Sequence, residues 1–137
     1  MTPKRILICL AAAFLTTSFS DYLIHQVILK SDYEATLSLW RTSETMQQFM
    51  SWIFVSELVL ALGMSMLWLR GFAEKACLKC VLGFGLFAGL VGCNYIPAFY
   101  AVMPLPGLLC VKWFLFGLLQ SLLVTTVLYL LTRRKAV

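Results

Sequence analysis

The sequence predicts an all-α, polytopic membrane protein: a four-transmembrane-helix bundle with a short interfacial helix in its first loop. Three observations lead there. Of 137 residues, 61% are hydrophobic and 12% are charged, whereas soluble domains run near about 45–50% apolar and about 25% charged. Four apolar runs each reach the length of about 20 residues that a helix needs to cross the hydrocarbon. The basic residues collect at the ends of those runs, as Lys4/Arg5, Arg70/Lys75/Lys79 and Arg133/Arg134/Lys135.

Membrane orientation therefore accounts for the net charge of +5, and the expected partner is the lipid bilayer rather than nucleic acid. The positive-inside rule puts the N-terminus, the second loop and the C-terminus in the cytoplasm, and the expected setting is a bacterial inner membrane. The chain forms a single membrane domain over residues 1–137, with function confined to the bundle and its short loops.

The first span is expected over about Lys4 to Leu29. Its opening imitates a signal peptide, with a basic start, an apolar stretch from Ile6 to Leu15 and small residues before Asp21. Apolar residues then resume and continue to Leu29, so an uncleaved span is expected. Thr17, Ser18, Asp21 and His25 make a polar stripe on it, and Asp21 and His25 stand one helical turn apart.

The loop from Lys30 to Glu44 is expected to hold an interfacial helix capped by Asp32 and running to Arg41. Tyr33, Leu37 and Trp40 would lie on one side, toward the headgroups. The second span, about Thr45 to Leu69, starts after Thr42/Ser43 and stops at Arg70-Gly71. Its one ionisable residue is Glu57, with Met50, Phe54, Ala61 and Met64 expected on the same face.

The third span, about Ala76 to Tyr100, contains Gly85-Leu-Phe-Ala-Gly89, a spacing that lets another helix approach closely. Pro97 frees a backbone carbonyl near Cys93 and loosens the helix beside Asn94. Met103-Pro-Leu-Pro-Gly107 is a tight turn. The fourth span, about Leu108 to Leu131, has Gly117, Ser121 and Thr125 at fourfold spacing and Gln120 near its middle.

At about 1.5 Å of rise per residue, Glu57 and Gln120 fall near the midplane, Asp21 and Asn94 about 5–6 Å outward, and His25 about 10 Å outward. Charges facing lipid are costly, so these side chains are expected to turn inward and meet. The candidate ligand-binding set is Asp21, His25, Glu57, Asn94 and Gln120, with Asp21, His25 and Glu57 as candidate metal ligands. An outward-facing polar pocket of this kind would bind or transport a cation, a proton or a small polar ligand. The other reading is that the same groups are interhelical hydrogen bonds, as in a non-catalytic subunit of a larger membrane complex.

The chain has one histidine, which gives a haem only one axial ligand. No cofactor is named by the residues, and no nucleotide-binding loop, metalloprotease motif, nucleophile elbow or dinucleotide fingerprint occurs. The five cysteines are scattered, but Cys77-Leu-Lys-Cys80 is a CxxC pair at a helix start, a candidate for redox exchange or soft-metal capture. The Gly85/Gly89 face is the expected surface for self-association or for entry into a larger complex.

Overall fold

The computed structural model describes residues 2–74 and 77–133; Lys75, Ala76, Arg134 and Lys135, to which parts of the basic ends and the start of the third span are assigned above, lie outside them. The Thr2 hydroxyl accepts the Arg5 N–H at 3.4 Å and starts helix α1 (Pro3–Asp21), with Pro3 where a missing N–H costs nothing. The helix then widens without a break into a π-helical segment, Tyr22–Ile28, closed by the Leu29 N–H on the Ile24 carbonyl at 2.8 Å. Such winding is rare and tends to occur at functional positions. Here it begins directly after Asp21 and includes His25.

Four helical runs, Pro3–Ile28, Ser43–Gly71, Leu78–Val102 and Gly107–Thr132, are long and apolar enough to cross a membrane. The chain is thus a multi-pass, all-α four-helix bundle. The second span is one helix, α3 (Ser43–Gly71), capped by Thr42 through the Thr45 N–H at 3.3 Å. The third is broken into α4 (Leu78–Gly92) and α5 (Tyr95–Val102). Pro97 has no N–H to give the Cys93 carbonyl, which instead accepts the Ile96 N–H at 3.1 Å in a tighter turn. The fourth span is the continuous helix α6 (Gly107–Thr132).

The first loop differs from the expected single helix. It contains a short helix α2 (Lys30–Glu34) and, after a turn, a 3-10 turn at Leu37–Leu39. Asp32 does not cap a helix. Its carboxylate accepts two hydrogen bonds from Lys112 Nζ, at 2.7 and 2.8 Å. Thr36 closes the loop on itself, donating to the Asp32 carbonyl at 2.8 Å and accepting the Trp40 indole N–H at 2.9 Å. The Tyr33 and Trp40 rings accordingly pack on Trp113 of α6, and the loop forms a strap over the bundle end.

The spans pack in a bent row: α1 against α3 and α6, and α6 against α4. The α4–α6 seam brings Gly85 and Gly89 against Leu122, Thr125, Leu118 and Ser121, which uses the fourfold row of α6. This corrects the expectation for the Gly85/Gly89 face. It is already occupied by the chain's own fourth span, because close helix approach is satisfied within the bundle, and it is not a free surface for self-association.

The α3 and α4 helices, the two ends of the row, touch little over most of their length. They meet at the basic end, where Phe84 packs on Trp68 and Phe72 at centroid distances of 5.5 and 5.0 Å. There the Trp68 indole N–H also donates to Thr132 Oγ1 at 2.9 Å. Ala61 and Met64 are buried as expected, but Met50 and Phe54 are 40% and 50% exposed. They share the phase of Glu57, yet the N-terminal half of α3 is left uncovered on that side.

A Cβ built on Gly89 would stand 3.2 Å from the Leu118 Cα, whereas one on Gly83 meets nothing within 4 Å. Gly89→Ala should therefore destabilise the bundle by about 1–3 kcal/mol through overpacking. Gly83→Ala should be neutral or stabilising by up to about 1 kcal/mol through helix propensity. Thermal unfolding of both variants in detergent measures this; equal effects would contradict the α4–α6 seam.

Candidate functional site

Between the two halves of the bundle lies a cavity of about 630 Å³. Asp21 and His25 reach it from the first span, Glu57 from the second, and Trp113 and Gln120 from the fourth, while Cys93 and Tyr95 border it at the break in the third. No lysine or arginine stands on its wall among the described residues. The aromatic contact of Trp68, Phe72 and Phe84 closes the bundle at the basic end, and the strap of the first loop lies over the other.

The two carboxyl groups are held by different helices. Ser18 Oγ donates to Glu57 Oε2 across the α1–α3 contact, and Glu57 is 6% exposed. Gln120 Nε2 reaches across the α1–α6 contact to Asp21 Oδ1 at 2.7 Å and Ser20 Oγ at 2.9 Å. Asp21 and Glu57 both line this cavity. Each thus has one neutral donor from a neighbouring helix, which leaves further acceptor positions toward the cavity.

His25 connects this acidic centre to the strap. Its Nε2 is 3.9 Å from Asp21 Oδ1, and its Nδ1 is 2.5 Å from the Tyr33 hydroxyl. Trp113 Nε1, which can only donate, gives its proton to the same hydroxyl at 2.8 Å. With the Tyr33 proton given to Nδ1, a neutral His25 ring would carry its N–H on Nε2, toward Asp21. Hydrogen bonds thus link His25, Tyr33 and Trp113 at the strap end of the cavity, and His25 stands at ion-pair distance from Asp21.

Two further hydroxyls support a site for a polar guest. Thr17 and Ser121 line the cavity, and their hydroxyl oxygens are buried without a hydrogen-bond partner among the described residues.

The structure thus brings together Asp21, His25, Glu57 and Gln120. Asn94 stands apart from them. It lies at the break between α4 and α5, is exposed, and donates from Nδ2 to the Val91 carbonyl at 2.5 Å. The metal reading of Asp21, His25 and Glu57 is also corrected. Among the described residues no group of three or more His, Cys, Asp or Glu side chains is disposed to hold a metal ion. Cys77 and Cys80 lie at the opposite end of the molecule.

The sequence reading passed over Ser20, Tyr33, Lys112 and Trp113 as site residues. A signal was present in Lys112-Trp113, a charge set inside an apolar run that needs an acidic partner. That partner, Asp32, is 80 residues away. No known protein family, curated protein or solved structure matches the chain.

Tyr33 belongs to the strap, outside the spans. Burial above all pushes its phenol up to about 12, opposed by the Trp113 hydrogen bond and reinforced by neighbouring Tyr95, Asp21 and Asp32. An unfolded tyrosine ionises near about 10. Between those values the unfolded chain gives up a proton that the folded chain keeps, so stability present below about pH 10 is lost as the pH rises toward about 12. Thermal unfolding should show this alkaline loss in the wild type and less of it in Tyr33→Phe. At neutral pH the same variant should be less stable by about 1–3 kcal/mol, since the Trp113 indole loses its acceptor. An identical alkaline slope in both proteins would contradict the assigned environment.

Proposed function

We propose that this chain is a small membrane protein that binds or transports a small organic cation, using Asp21 and Glu57 as counter-charges and releasing protons in exchange. The observation that carries this reading is the presence of two carboxyl groups on the wall of one cavity that, among the described residues, has no lysine or arginine. Negative charge at this depth needs compensation, and a proton or a bound cation supplies it.

Size and lining favour an organic guest over a bare ion. Among the described residues no three or more His, Cys, Asp or Glu side chains converge as a bare metal ion would ask. A volume of about 630 Å³ lies within the range of about 300–1,000 Å³ typical of small-molecule sites. Trp113, Phe99 and Phe116 border the cavity and offer ring faces to a cation. Thr17 and Ser121 would hydrogen-bond its polar substituents. The sparse contact between α3 and α4 supports access from the bilayer for a guest with an apolar body.

His25 and Tyr33 would pass protons between the carboxyl groups and the outer end as the guest comes and goes. The bias of lysine and arginine toward the other end supports a cytoplasmic location for both termini, in a bacterial inner membrane, with the cavity opening outward.

Titration of the purified protein with benzyltrimethylammonium tests the reading. Binding should weaken as the pH falls, because protons compete for the carboxylates. Asp21→Asn and Glu57→Gln should each weaken it about tenfold or more, equivalent to about 1.4 kcal/mol. Unchanged binding with lowered thermal stability would instead assign both groups to bundle cohesion, as in an accessory subunit.

A further inference from the structure

At the end of the bundle away from the cavity, Cys77 is the N-cap of α4 and its sulfur accepts the Cys80 N–H at 3.2 Å. The two Sγ atoms stand 2.6 Å apart. Cys77 is exposed and Cys80 half-buried, so one sulfur is open to a reagent while the other sits directly behind it. The remaining cysteines, Cys9, Cys93 and Cys110, are all buried. Ser, Thr, Asp or Asn is the usual residue at an N-cap, and cysteine there adds a reactive sulfur to the capping role.

From this arrangement we infer that Cys77 and Cys80 form a thiol–disulfide exchange site, with Cys77 as the attacking sulfur and Cys80 as the resolving one. The Cys77 thiolate attacks one sulfur of a low-molecular-weight disulfide, RSSR. A Cys77–S–S–R bond forms, and the first RS⁻ leaves and takes up the proton that Cys77 lost. Cys80 then gives its proton to solvent and attacks Cys77 Sγ; the Cys77–Cys80 bond closes and the second RS⁻ leaves as RSH. The protein loses two electrons and two protons, and RSSR becomes two RSH.

The roles are set by the surroundings. The Cys80 thiol and N–H, helped by the backbone and charge of Lys79, hold the Cys77 thiol below the usual thiol range. A larger thiolate fraction speeds the first attack. The exposed position of Cys77 admits the reagent.

The full-length protein in membranes, equilibrated with oxidised glutathione and then alkylated, provides the test. Mass spectrometry of the wild type should find the peptide that contains Cys77 and Cys80 unalkylated and lighter by two hydrogens. Cys80→Ser should trap glutathione on Cys77, and Cys77→Ser should trap it on Cys80 about tenfold more slowly or worse. Serine retains the capping hydroxyl at position 77, so both variants keep the helix start. A wild type that accumulates glutathione adducts without the internal bond would overturn the proposal. Equal trapping rates in the two variants would overturn the assignment of roles.

Discussion

A carboxyl group at the depth of the hydrocarbon must be met by partners from other helices, since neither lipid nor its own backbone can solvate it. That constraint governs how the first span is turned. Ser18 on one side of α1 answers Glu57 of α3, while Gln120 of α6 answers Asp21 and Ser20 on the other. The first span therefore carries the bundle's central polar contacts, and the cavity is the space left beside them. The apolar seams do the remaining work of association. The glycine seam of α4 on α6 brings two backbones close, and Trp68 with Phe72 and Phe84 ties the row's ends together at the basic side.

The strap adds a second level of organisation. Lys112 lies inside the outer part of α6 and would face a costly environment alone; Asp32 meets it with both carboxylate oxygens. This ion pair sets Tyr33 and Trp40 against Trp113, which in turn places the Tyr33 hydroxyl on His25. A ring that borders the cavity is thus tied to a charge pair between the strap and α6. Substitutions in the strap are expected to act on the site through His25, without touching a guest.

Several parts of this arrangement were legible in the residues. The spans stand out by length and hydropathy, and the expected boundaries fall within about two residues of the observed helices, the usual uncertainty of helix ends. Asp21, Glu57 and Gln120 were visible because polar groups are conspicuous within apolar runs, and their depths follow from the helical rise. Which way a side chain points around the bundle is a different quantity. Asn94 stands out in the same way, but at the break beside Cys93 and Pro97 its amide goes to the Val91 carbonyl. Met50 had the right phase but no covering helix. Tyr33, Trp113 and Lys112 were hidden because their pairings join segments 80 residues apart, which no local pattern encodes.

The central claim is that Asp21 and Glu57, supplied by different spans, act on one guest in one cavity. A double-mutant cycle on benzyltrimethylammonium affinity, using Asp21→Asn, Glu57→Gln and the double variant, measures this directly. Two groups sharing a guest should be coupled by about 0.5–3 kcal/mol, so that the double variant departs clearly from the sum of the single ones. Additivity within about 0.3–0.5 kcal/mol would mean two independent groups, and would contradict the account.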